Sequence, residues 1–153
     1  MDSTASIPDA VSSPTLLFRV GDSLYGCDVV EAREIIPLRP TTRLPGAPPF
    51  VRGLINMRGT IVTVLDLGAR LDPTKGPTER GSILLVRYND RVVGLIVDQV
   101  SDVRVLSTFV EGADAGVRKG SGTAGIVKGI ATTDDTTVVI LDLDAMIKQV
   151  LLS

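Results

Sequence analysis

The feature that most constrains this chain is that it repeats itself. Sliding the sequence by 68 residues places Leu16-Leu17-Phe18-Arg19 on Leu84-Leu85-Val86-Arg87, and the same offset puts Asp22 on Asp90, Gly26 on Gly94 and Val29 on Val97. An offset of 76 places Val51-Arg52-Gly53-Leu54 on Val127-Lys128-Gly129-Ile130, Val62 on Val138, and Leu65-Asp66-Leu67 on Leu141-Asp142-Leu143. Glycines, aspartates and apolar positions agree together without gaps inside each block. That agreement marks an internal duplication rather than a chance likeness between Val-rich stretches. The two offsets differ by 8 residues, so the second half carries a longer loop between its matched blocks.

Each half offers about five short strands punctuated by turns. Leu16 to Val20, the turn Gly21-Asp22 and Ser23 to Asp28 read as one hairpin; Gly53 to Met57, Arg58-Gly59 and Thr60 to Asp66 read as another. Between them, Val29 to Ile36 suits one helical turn or an irregular strand. The stretch from Arg39 to Phe50 holds Pro40, Pro45, Pro48 and Pro49 and reads as a loop. A strand set this small must bury one face, and closing into a small barrel also removes its edges. The expected division is a mobile tail over 1–14, a first barrel over about 15–75 and a second over about 82–152, within one domain over 15–153. The second barrel ends in a helix capped by Asp142, with Leu143, Met146, Ile147, Val150 and Leu151 recurring on one face to pack against it.

Composition agrees with a β-rich core. Hydrophobic residues make up 44% of the 153, yet aromatics only 3% and Trp none, so the apolar content is mostly Val, Ile, Leu and Ala. The chain has no His, which excludes His-based triads and His-ligated metal. Its single Cys, Cys27, excludes thiolate clusters and an internal disulfide and reads as a small apolar strand residue. Sixteen basic against 18 acidic residues and few aromatics argue against nucleic acid. No run approaches the length of a membrane span, and the first residues lack the pattern of a secretion signal, so a cytoplasmic protein without direct membrane insertion is expected.

Few residues look chemical. Asp66 and Asp142 hold equivalent repeat positions, each before a helical signal, which makes them caps rather than an acid/base pair. Gly112 to Gly125 is Gly-rich and carries Arg118 and Lys119, but lacks the spacing of a phosphate loop. The most informative stretch is Gly53-Leu54-Ile55-Asn56-Met57-Arg58-Gly59. A scaffold requirement shared by both halves should appear in both, as Gly53 and Gly129 do. Asn56 and Arg58 have no counterparts, since Thr132 and Asp134 stand there, and are therefore candidates for function.

The stretch Phe50 to Val62, followed by Asp66-Leu67, resembles the signature of bacterial chemotaxis coupling proteins, the CheW-like family. Phe18 to Gly26 with Tyr25, Thr42-Arg43-Leu44-Pro45, and Val92 to Asp98 running on to Val100-Ser101-Asp102-Val103 agree in order and spacing. The resemblance covers about residues 15–150. It departs from the family pattern at Thr63, where Pro is common, in the Gly-rich loop, and at the small Ala32.

This resemblance implies a mainly β fold of two SH3-like five-stranded β-barrels with a short C-terminal helix, and a stand-alone, non-enzymatic adaptor without a cofactor. The implied partners are the cytoplasmic tip of a chemoreceptor (a methyl-accepting chemotaxis protein) and the regulatory domain of a CheA-type histidine kinase, met at membrane receptor arrays. Carried over by position, the receptor groove would include Ala32, Gly53, Arg58, Ile83, Val103 and Gly129. Glu34, Ile35, Asn56 and Arg58 would bind or support the kinase, with Glu34 and Arg58 forming an ion pair. Two other readings stay open: a coupling protein of a surface-motility array, or a small-ligand module using the groove between the barrels.

Overall fold

Strands that read as continuous apolar runs, such as Leu84-Leu85-Val86, need cover on both faces, whereas an alternating strand needs it on one. The computed structural model, which describes residues 14–28, 32–106, 108–111, 125–133 and 135–151, shows how that cover is supplied. The strands are β1 (Thr15–Val20), β2 (Ser23–Asp28), β3 (Ala32–Pro37), β4 (Val51–Met57), β5 (Thr60–Asp66), β6 (Ser82–Tyr88), β7 (Arg91–Val97), β8 (Gln99–Arg104), β9 (Thr108–Glu111), β10 (Val127–Thr133) and β11 (Thr136–Leu141). Helix α1 (Leu67–Leu71) follows β5, and α2 (Leu143–Leu151) follows β11. The segment that suited a helical turn or an irregular strand contains the strand β3, with a bulge between Ala32 and Glu34. The tail over 1–13, most of the Gly-rich loop and the side chains of Val150 and Leu151 lie outside the described residues.

One sheet runs β3-β6-β7-β5-β4 and the other β8-β1-β2-β11-β10-β9. The sheets therefore do not divide at residues 75–82 as the sequence suggested. Hairpin β1–β2 belongs with strands of the second half, and hairpin β6–β7 with strands of the first. The duplication survives this exchange down to single residues. Ile35 faces Leu84 as Val103 faces Leu16, and Thr63 faces Val93 in parallel as Val139 faces Tyr25. The isolated bridge of Thr42 to Leu54 repeats as the Val110–Ile130 pair of β9 and β10. A repeat shows which strands are equivalent, but equivalent hairpins satisfy either sheet, so partner choice is invisible in it.

The exchange explains the two-sided burial. On β6, Ile83 and Leu85 point into the first barrel beside Ile55, Val62 and Ile96, while Leu84 and Val86 face the opposite way. On β1, Leu17 points into the second barrel beside Val138 and Ile140, while Leu16, Phe18 and Val20 face Leu84 and Val86. Between the sheets lies the largest core cluster, completed by Leu67 and Leu71 of α1 and Leu143, Met146 and Ile147 of α2. Gly26 and Gly94 repeat because a β-carbon there would press into the barrel interiors, 2.7 Å from a Thr15 methyl and 2.8 Å from an Ile83 methyl.

Both expected caps are present. Asp66 Oδ1 accepts from the Ala69 amide at 3.3 Å, and Asp142 Oδ1 from the Ala145 amide at 3.0 Å. Asp66 does more. Fully buried, it also accepts the Thr78 amide (2.8 Å) and hydroxyl (2.7 Å) and pairs with Arg52 at 3.4 Å, tying the connector between α1 and β6 to the first barrel. Since Ile147 is 1% exposed in the shared core, Ile147→Asp buries an unpaired charge. It should lower unfolding free energy by about 3 kcal/mol or more in chemical denaturation; an unchanged midpoint would mean that α2 is not part of the core.

Candidate functional site

The turn between β4 and β5 is held by several side-chain contacts. Arg58 and Gly59 both sit at positive φ, 52° and 89°, as a tight hairpin with the right-handed strand twist demands. An arginine is an unusual choice for that backbone, and its neighbours hold it there. Asn56 Oδ1 accepts the Gly59 amide at 2.9 Å, and the Asn56 carbonyl accepts Arg39 Nη2 at 2.8 Å. Arg58 Nη2 reaches across to β3 and meets Glu34 Oε1 at 2.7 Å, the ion pair expected from the sequence. That contact holds the Arg58 guanidinium above its ordinary pKa, by hydrogen bond first and charge second.

The pair borders a hollow of about 490 Å³ lined by Ala32, Arg33, Glu34, Met57, Arg58 and Val92, with Val62 and Leu85 beneath. Ala32, Glu34 and Arg58 are thus brought together, with Asn56 supporting the turn. Ile35 is 48% exposed. Its repeat counterpart Val103, on the corresponding strand of the other sheet, is 47% exposed.

The remaining residues assigned to the receptor groove fall elsewhere. Ile83 is fully buried, because alternation along β6 turns it into the barrel, so it supports the surface from beneath rather than lining a groove. Gly53 is buried on β4 at φ 144°, and a β-carbon there would collide with the Thr42 carbonyl, so the fold itself requires this glycine. Gly129 is buried on β10 between Glu111 and Ile140.

Sequence reasoning missed Arg104. The position equivalent to Arg58 is Asp134, which lies outside the described residues, while Asp102 corresponds to Glu34. Here the cation has moved onto the first strand of the sheet. Arg104 Nε donates to Asp102 Oδ2 at 3.0 Å, and Nη1 donates to Thr133 Oγ1 on β10 at 3.2 Å. The available signal was spacing: residues i and i+2 of a strand share a face.

A second hollow, of about 560 Å³, is lined by Pro48, Pro49, Phe50, Ala69, Pro73 and Pro77, with Arg70 and Lys75 as its charged residues. Arg70 lies over the Phe50 ring at 5.7 Å, and burial lowers its pKa. No helix among the described residues is long and apolar enough to cross a membrane.

The Gly53 geometry makes a direct prediction. Gly53→Ala should destabilise the fold by about 1–3 kcal/mol, because it combines a strained φ with a backbone collision; a melting temperature equal to wild type would contradict a fold role.

Comparison with known proteins agrees with this geometry. Residues 14–151 match the family model of the CheW-like domain. The chain is 41% identical over 93 residues to "Chemotaxis protein CheW" of Rhizobium meliloti, covering 60% of each protein. With "Chemotaxis protein CheW" of Bacillus subtilis it shares 31% identity over 136 residues, 88% of this chain and 86% of the relative. The crystal structure of the scaffolding protein TtCheW from Thermoanaerobacter tengcongensis superposes with a TM-score of 0.70 at 30% identity, over 85% of this chain and 88% of that one. A mainly β fold of two intertwined strand sets, the matched hairpin motifs and these likenesses lead to one conclusion: the chain belongs to the CheW-like family.

Proposed function

We propose that this chain, a chemotaxis scaffold by family, works by holding the cytoplasmic tip of a chemoreceptor and the regulatory domain of a CheA-type histidine kinase in a fixed relation at the receptor array. Receptor state then biases kinase activity by shifting populations of the assembled complex, with no chemical step performed by this chain. The observation that carries this reading is the Arg58–Glu34 pair. It fastens a strained turn at a surface where Arg58 is 74% exposed. Exposed pairs contribute little to stability. A device that costs backbone strain and gains little stability suits a surface whose shape is the function.

Exposed Ile35 beside this pair supplies an apolar anchor for the kinase domain, with Asn56 and Glu34 in support. Ala32 and the Val103 face, together with the strand carrying Gly129, form the receptor side, where an α-helical tip would approach as in other helix-in-groove contacts. A small-ligand role has less support: the larger hollow offers two cations and a wall of prolines rather than convergent, complementary polar groups.

The test is a pair of variants read against both partners. Arg58→Ala should leave the melting temperature within about 2 °C of wild type, as surface changes do, while weakening assembly with kinase and receptor. Val103→Asp should weaken binding of a receptor-tip fragment and spare the kinase regulatory domain. Wild-type assembly by Arg58→Ala would reduce Arg58 to a solvated turn residue. Equal loss of both partners by Val103→Asp, with a lowered melting temperature, would make Val103 a fold residue.

A further inference from the structure

Val103 is exposed, yet its backbone is held more closely than an exposed strand residue requires. Its amide donates to Asp102 Oδ1 at 2.7 Å. The other oxygen of that carboxylate accepts Arg104 Nε at 3.0 Å, and the same guanidinium donates to Thr133 Oγ1 on β10 at 3.2 Å. Three links thus run from the end of β10, through Arg104 and Asp102, to the amide of Val103. They lie beside the irregularity where β8 shifts register against β1 between Leu17 and Phe18, a feature that commonly re-aims neighbouring side chains. The Asp102 carboxyl is held below its ordinary pKa, by the Arg104 hydrogen bond first and the Val103 amide second. Because the folded pKa is depressed, the latch is fully formed above the ordinary carboxylate range and is lost only as pH falls through the lowered value.

The first barrel fastens the equivalent strand differently, from the β4–β5 turn and through Glu34. An acidic residue stands at the same repeat position in each barrel and is joined to a cation by a different route, so this strand is fastened in both.

We infer that Arg104 is a positioning residue: by bridging Asp102 to Thr133 it sets the backbone at Val103 and so the angle at which the Val103 side chain meets the receptor tip. This role rests on the receptor reading of Val103 given above. Arg104 itself need not touch the partner. Val103, 47% exposed, lies on one face of the strand, while Asp102 and Arg104 lie on the other.

The test measures binding of a receptor-tip fragment and of the kinase regulatory domain to full-length wild type, Arg104→Ala, Arg104→Lys and Thr133→Val. Melting temperatures and amide exchange at Val103 are followed in parallel. Arg104→Ala should weaken the receptor fragment about five- to tenfold, within the usual range for coupled neighbours, and leave the kinase domain and the melting temperature unchanged. Exchange at the Val103 amide should accelerate, Thr133→Val should follow in the same direction, and Arg104→Lys should restore part of the affinity. Wild-type receptor affinity with an unaltered Val103 amide in Arg104→Ala would overturn the inference alone. Loss of both partners with a lowered melting temperature would also overturn it, since the role would then be structural. A wild-type chain that binds the kinase domain but not the receptor fragment would remove the receptor reading and this role with it.

Discussion

The structure depends on two hairpins that each belong to the opposite barrel. Hairpin β1–β2 pairs with β8 and β11, and β6–β7 pairs with β3 and β5. Each exchanged hairpin therefore has a barrel interior on one face and the other hairpin's outer face on the other. Leu84 and Val86 meet Leu16 and Phe18 in the same cluster that receives both helices. Burial of such side chains is worth roughly 1.5–3 kcal/mol each, and this shared layer cannot be divided without exposing both barrels. The proposed role of holding two partners in a fixed relation suits a body of this kind, because neither half can turn without breaking the pairing of the other.

The same exchange sets where the surface features fall. With the hairpins taken up inside each sheet, β3 and β8 each stand at one end of a sheet, opposite β4 and β9, and they present Ile35 and Val103. An end strand is the part of a small sheet most free to shift, and each is fastened: β3 by Glu34 to Arg58, β8 by Asp102 through Arg104 to Thr133. The contacts are exposed and add little to stability, so their effect is geometric. The two barrels share a fold but differ in how this fastening is wired. That difference gives one chain two distinct faces, as the proposed two-partner role requires.

Much of this was legible in the sequence, for a physical reason. Strand positions and the Asp66 and Asp142 caps depend on local pattern and on repeat equivalence, which a single chain displays, whereas the Arg58–Glu34 pair followed from the family resemblance. Hairpin exchange was not legible, because Leu16 and Leu84 are interchangeable in character and either satisfies either partner. The misplacement of Ile83 follows from it. Once β6 is buried on both faces, an apolar residue there carries no mark of which core it enters. Gly53 was ambiguous between close partner approach and backbone need, and its φ together with the Thr42 carbonyl resolves it toward the fold. Arg104 escaped notice because the residue equivalent to Arg58 is Asp134, whereas the second barrel places its cation two residues beyond Asp102 on the same strand, β8.

The central claim is that the exchanged hairpins make the two barrels one cooperative unit, and native-state hydrogen exchange tests it most directly. Ile140→Ala removes volume from the interior of the second barrel alone. If the barrels open together, the slowest amides of β4 and β5 in the first barrel should lose the same opening free energy as those of β10 and β11, about 3 kcal/mol. First-barrel amides that keep wild-type protection while those of the second barrel lose theirs would show two independent units and contradict the account.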